Sequence, residues 1–301
     1  MYLTAKQICV LLHLPGIGKK VAHSICTNAY NKGIMDYQDL FEFITSIHSQ
    51  QNISRMPKVT RESYDKAIQT TEGIFDNSHK QGIEILPYHD PSFPTMLKDI
   101  PDPPVILNFK GNYRGLNDKS GIAIIGTRNP TQEGLEHGIW MGEYYARKGY
   151  NIVSGLAKGC DTAAHTGALN LEGFTTAFVA HGLDMVYPKE NMSLAEEIIE
   201  KGGVLASEYF VGTGTYANHF VERDRLQAGL SKACVVIQTN TKGGTMHTVQ
   251  AILDGGKPLA AIKYGDDIIS DEIKGNRMLI EKGNTYALTK NNIKDFDSLI
   301  I

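Results

Sequence analysis

Residues 121–130 read GIAIIGTRNP. Four apolar residues follow Gly121 and run into Gly126, a fixed cation at Arg128 and a proline. A short apolar run bounded by turn residues predicts a strand buried on both faces, as in a parallel sheet, because no polar face alternates with the apolar one. The same unit recurs downstream. NIVSG (151–155), FTTAFVAHGL (174–183), GVLASEY (203–209), ACVVIQT (233–239) and KPLAAI (257–262) have this character, and TYAL (285–288) closes the series. Between them, apolar residues at three- and four-residue spacing predict helices near 132–148, 158–172, 193–203, 223–231, 245–256 and 274–282. About six βα units predict an α/β fold, a doubly wound Rossmann-like parallel sheet over 118–301.

The front of the chain has a different grammar. TAKQICVLLHL (4–14), KKVAHSICTNAYNKG (19–33), DYQDLFEFITSIHSQ (36–50) and RESYDKAIQTTEGIFDNSHKQG (61–82) carry helical spacing, predicting a small all-helical domain over 1–80. Only five of the thirty glycines lie in 1–110, and Gly33, Gly73 and Gly82 among them fall near expected helix ends. Residues 81–117 hold six of the eleven prolines together with the apolar runs ILPYH and VILNF, which predicts an extended connector packed on the following domain.

Composition narrows the function. Of 301 residues 42% are hydrophobic and 21% charged, which excludes disorder and a fibrous repeat. Four cysteines without CxxC spacing argue against a zinc finger or disulfide scaffold. No apolar run approaches the ~18–20 residues of a membrane span, and the N-terminus lacks the features of a signal peptide, so a cytoplasmic protein without membrane contact is expected. The net charge of −3 excludes a histone-like surface but not a local basic groove.

In doubly wound sheets ligands bind beyond the carboxyl ends of the strands. Four strand-to-helix turns stand out: IIGTRNPT with Gly126, Thr127 and Arg128; SGLAKGCDTAAH with Lys158; FVERDRLQAGLS with Phe220, Arg223 and Arg225; and TKGGTMHT with Gly243 and Gly244. Glycines, fixed cations and helix starts together suit phosphate groups. None is a GxGxxG dinucleotide fingerprint or a GxxxxGK[ST] loop. Several anion sites along one sheet edge suit a polyanion. Each has a plainer reading: Arg128 pairs with a carboxylate, Asp161 and His165 are a cap and a hydrogen-bonded core histidine instead of metal ligands, Cys160 is structural, and Lys242 is solvated. At the front, LPGIGKKVA (14–22) is a helix-hairpin-helix-like hinge. Gly16, Gly18, Lys19 and Lys20 there meet either a nucleic-acid backbone or a protein surface.

Read in order, these motifs resemble the DprA/Smf family of bacterial DNA-processing proteins. AIIGTRNPTQEG, SGLAKGCDTAAHTGAL, GLDMVYPKEN, SEYFVGTGTYANHFVERDRLQAGLS, GGTMHTVQAILDGGKPLAAI and KGNRMLIEKGNTYALT follow in the family's order, after the proline-rich lead-in 88–112. The resemblance implies single-stranded DNA binding without catalysis, cofactor or metal, homodimerisation through the Rossmann domain, and loading of the RecA recombinase in natural transformation. It places Gly126, Thr127, Arg128, Lys158, Lys189, Phe220, Arg223, Arg225, Gly243 and Gly244 along the strand, with Phe220 as the stacking ring.

Three departures stand beside it. The family's Arg-Asn-Arg is Arg223-Asp224-Arg225, and the proline after Phe220 is Val221. A serine before the glycine of the 241–248 turn is replaced by Lys242 or Gly243. The chain ends near 301, where many members carry a winged helix, so none is expected here. Two alternatives use the same cleft: a sensor of a nucleotide-derived signal, and a nucleoside-monophosphate phosphoribohydrolase. The latter needs a PGGxGTxxE loop, but KGGTMHTVQA has Gln250 and Ala251 where glutamate belongs.

Overall fold

The structure is a computed structural model that describes residues 2–50, 57–268 and 270–300. Residues 1, 51–56, 269 and 301, which fall inside the expected domains, lie outside the described residues. Two compact units emerge, one comprising Met1–Phe93 with Asp102–Asn108 and the other Pro94–Pro101 with Phe109–Ile301.

The first unit is built on α1 (Ala5–Leu12), α2 (Lys19–Ala29), α3 (Tyr37–Gln50) and α4 (Arg61–Lys80), followed by strand β1 (Ile83–Pro87). Thr4 and Gln7 form a reciprocal capping box on α1, and Thr60 with Ser63 does the same on α4. Ile8, Leu11, Ile25, Leu40, Ile44, Tyr64 and Ala67 are buried. Gly33 and Gly82 adopt positive φ after α2 and α4, as helix-ending glycines do. Gly73 does not end a helix. It lies inside α4, whose buried stripe of Tyr64, Ala67, Thr71, Ile74 and Ser78 continues past it, so packing overrides a local penalty of about 1 kcal/mol.

The 81–117 segment carries β1, β2 (Ile106–Gly111) and two short 3₁₀ turns. The second unit then alternates β3 (Gly121–Ile125), α5 (Gln132–Arg147), β4 (Asn151–Ser154), α6 (Cys160–Asn170), β5 (Thr175–Phe178), α7 (Met192–Glu200) and β6 (Val204–Ser207). It continues with α8 (Ala217–Gly229), β7 (Ser231–Val236), α9 (Thr245–Asp254), β8 (Leu259–Ile262), α10 (Lys274–Glu281), β9 (Tyr286–Leu288) and α11 (Ile293–Asp297). Among the described residues, β6-β5-β4-β3-β7-β8-β9 pair in that order, every pair parallel.

The deciding run behaves as its composition demands. All five residues of β3 are buried. Ile122 and Ile124 enter one core with Met141, Tyr145 and Val235, while Ala123 and Ile125 enter the opposite core with Val236, Val249 and Ile252. Helices on both faces make the doubly wound Rossmann-like sheet expected from the sequence. The order reverses at β3, which has β4 on one side and β7 on the other, so a crevice opens beyond their carboxyl ends.

Glycine excess in this unit has a second origin besides turns. A Cβ on Gly142 would stand 2.4 Å from the Ala164 carbonyl oxygen, and one on Gly167 would stand 2.1 Å from that of Ile139. α5 and α6 therefore cross backbone to backbone. Helix α8 starts at Ala217, not near Arg223, and α11 is a short helix beyond those that the spacing predicts.

Candidate functional site

The crevice is a cleft of about 540 Å³ lined by the ends of β3 and β7, the β4–α6 turn and one side each of α8 and α9. Gly126, Thr127, Arg128, Phe220, Arg223, Gly243 and Gly244 of the expected set line it, joined by Asp161, Asp224, Gln227, Asn240 and His247.

The β3–α5 turn is held rigidly. Thr127 N–H donates to the Gln238 carbonyl at 2.7 Å, and its own carbonyl accepts from Cys160 N–H at 3.1 Å. The Gln238 side chain accepts from Thr131 N–H at 2.9 Å and donates to Thr131 Oγ1 at 2.9 Å. No larger residue fits at Gly126, where a Cβ would come within 2.5 Å of Cys160 Sγ. The turn thus presents Arg128, which is exposed, with its guanidinium 5.1 Å from the centre of the Phe220 ring. Tyr187 adds a second ring 5.9 Å from Phe220 and is 40% exposed. Arg128, Lys158, Tyr187, Pro188 and Phe220 also border a small adjoining hollow of about 60 Å³. Across the cleft, α9 starts after Gly243 and Gly244, with no side chain capping its first turn.

The expected cations separate into different roles. Arg223 is buried: its Nη1 donates to the Phe178 carbonyl at 2.6 Å, and its Nε lies 3.2 Å from Asp224 Oδ1. With the Gln227 amide turned so that its oxygen faces them, it accepts from Arg223 Nη1 at 2.8 Å and Gly155 N at 3.0 Å. Arg225 is outside the cleft lining, closed bidentately on Glu208 at 2.6 and 2.8 Å. Lys158 pairs with Glu190, both ends half exposed. Lys189 is exposed at the head of the Lys189–Asn191 turn and lines neither the cleft nor the adjoining hollow. Among the Lys and Arg residues lining the main cleft, only Arg128 is exposed and has no ion pair among the described residues.

Acidic groups form the floor. Asp161 Oδ2 accepts from Gly155 N–H at 3.1 Å and Ala157 N–H at 3.3 Å, so it ties the β4–α6 turn instead of capping α6. Burial raises the Asp161 carboxyl above its ordinary range despite the nearby Arg223. Burial likewise pushes Asp224 up to about 6, against the pull of Arg223. His165 Nδ1 bonds to Thr175 Oγ1 at 2.7 Å, and burial depresses its pKa to about 3, so it is a neutral core histidine. The Cys160 thiol is buried and pushed up to about 12, which leaves it unreactive. Among the described residues no group of three His, Cys, Asp or Glu side chains is placed to hold a metal ion, and no helix is long and apolar enough to cross a membrane.

In the first unit the 14–22 hinge is present. Gly16 has φ +80°, Gly18 caps α2 without a side-chain bond, and Lys20 is exposed beside Lys19. Sequence reasoning passed over Tyr187, Gln227, Gln238 and His247. Two signals were available: Gln227 lies four residues after Arg223 and so shares its helix face, and Tyr187 stands in the quoted YPKEN.

The chain is similar to known proteins in sequence and in fold. The DNA processing protein DprA of Bacillus subtilis is 36% identical over 183 residues, 61% of this chain and 61% of that protein, so the chain spans under two thirds of that relative. The X-ray structure of DNA processing protein A from Streptococcus pneumoniae superposes with a TM-score of 0.79 at 25% identity, covering 98% of each chain. A structure of DNA processing protein A from Helicobacter pylori, described as giving insight into its single-stranded DNA binding mode, matches at a TM-score of 0.64 and 29% identity, over 72% of this chain and 95% of that one. The profile described as DNA recombination-mediator protein A matches residues 84–297, and the chain belongs to that family.

Proposed function

We propose that the chain binds single-stranded DNA along the carboxyl edge of its Rossmann-like sheet and acts without catalysis. The observation that carries this is Arg128 laid over Phe220 at the cleft mouth. A cation beside an aromatic face holds a phosphate and stacks a base without reading sequence, and duplex bases are not available for such stacking. The open start of α9 at Gly243 and Gly244 supplies N–H groups for a further phosphate. Lys158 and Lys189 flank the track, and Thr127 shapes its turn. Arg223 shapes the floor and Arg225 the scaffold. The hinge at Gly16, Gly18, Lys19 and Lys20 is a second, sequence-neutral backbone contact. The related DNA processing proteins support this reading. The proposal extends to protection of the strand, its delivery to the RecA recombinase in transformation or recombination, homodimerisation through the Rossmann unit and a cytoplasmic location, and membership of the recombination-mediator family is what supports the extension.

One observation favours a second reading. A cleft of about 540 Å³ whose lining has, among the described residues, one exposed Arg or Lys without an ion pair also fits a nucleotide-derived signal. The hydrolase alternative lacks its acid, since Gln250 on α9 is exposed and donates to Asp254 at 2.7 Å. A gel-shift series with labelled single strand, challenged by duplex and by mononucleotide, separates these. Strand competing well and duplex poorly supports the proposal. Tight mononucleotide binding with no strand binding overturns it in favour of the sensor.

A further inference from the structure

We propose that Asp224 makes the cleft selective for the base it receives, preferring guanine, whose N1–H and N2 amino group both point at a carboxylate. This rests on the strand-binding reading and adds to it a preference that a stacking track alone does not produce.

The argument starts from charge. Asp161 and Asp224 face one arginine, Arg223, so the cleft floor offers no excess cation to a phosphate. The exposed cation, Arg128, is at the mouth instead. A strand following Arg128 therefore keeps its phosphates outside and turns a base inward. Asp161 is already engaged by two backbone N–H groups. Asp224 is 8% exposed, lines the cleft, and has Arg223 Nε beside Oδ1, with no hydrogen-bond donor to Oδ2 among the described residues. Oδ2 is therefore an acceptor open to the cleft, available to an N–H donor of an entering base.

An ionised carboxylate only accepts hydrogen bonds. Guanine offers two adjacent donors on one edge, whereas cytosine and adenine each offer one amino group beside a ring acceptor. Thymine offers one imino N–H between two carbonyl oxygens that the carboxylate repels. Guanine is thus the best match and thymine the worst. An asparagine at this position, with both a donor and an acceptor, would lose that ranking.

The test measures binding of three oligomers to the full chain by fluorescence anisotropy: all thymidine, thymidine with interspersed guanosine, and thymidine with interspersed inosine, which lacks the N2 amino group. The expected order is guanosine, then inosine, then thymidine, with guanosine roughly tenfold tighter than thymidine. Asp224→Asn is expected to bring the three within about twofold of one another. Equal binding of all three by the unaltered protein overturns the proposal while leaving strand binding intact, as does a guanosine preference that survives in Asp224→Asn. Absence of binding to every oligomer overturns the strand-binding reading itself.

Discussion

Arg225 closes both terminal nitrogens on the buried carboxylate of Glu208, at 2.6 and 2.8 Å, and donates again to the Glu222 carbonyl at 2.8 Å. Its neighbour in the Arg-Asp-Arg triplet, Arg223, is turned into the cleft floor. Two residues apart on a helix is about 200° of rotation, so the two arginines cannot serve one surface.

Arg225→Ala is therefore expected to act on stability. Removing Arg225 takes the bidentate ion-pair partner from Glu208, whose side chain is 3% exposed, and costs about 3 kcal/mol. Urea unfolding measures this loss, while strand affinity of the remaining folded protein stays within about twofold. A stable Arg225→Ala that no longer binds DNA would return Arg225 to the interface.

Phe220 is expected to act on binding. Phe220→Ala removes the ring under Arg128 and lowers single-strand affinity by about 1–3 kcal/mol. Phe220→Tyr keeps the ring face and retains most of it. Equal affinity in all three proteins, measured by anisotropy, speaks against stacking.

Gly155 lies where β4 meets α6, and a Cβ there would stand 1.8 Å from Arg223 Nη1 and 2.5 Å from the end of the Gln227 side-chain amide. Gly155→Ala must displace the buried arginine, and a loss of about 1–3 kcal/mol is expected from overpacking. Thermal unfolding reads the loss, and an unchanged midpoint would mean that the Arg223 site is not tightly packed.

Asp224 also sets a pH dependence. Burial raises its pKa from 3.8 to about 6 in the folded chain, with Arg223, Asp161, His247 and Arg128 as the charged groups around it. Between those values the folded state holds a proton that the unfolded state has lost. The stability contributed is therefore complete below about pH 4 and is lost as pH rises through about 6. Asp224→Asn is expected to gain about 3 kcal/mol over the unaltered chain above that window and nothing below it. Comparing the two proteins across pH cancels the other titrating groups. A variant less stable at high pH would show that the Arg223 ion pair outweighs burial.

Much of this was legible in residue order. GIAIIGTRN announces a buried strand and a tight turn that carries Arg128, and the strand and turn are found where that run places them. The glycines of the β3–α5 and β7–α9 turns do line the cleft. The start of α8 was hidden because its cap residue, Tyr216, makes no side-chain cap bond, so no polar signal marks the boundary. Pairs such as Lys158 with Glu190, far apart in sequence, are set by how two loops meet and leave no local pattern.

The central claim concerns Arg128, and the salt dependence of single-strand affinity tests it most directly. The account predicts that log K falls steeply with log salt for the unaltered protein. Arg128→Ala should bind more weakly, with a slope smaller by about one counterion. A slope unchanged by Arg128→Ala, or strand affinity indifferent to salt in both proteins, would contradict it.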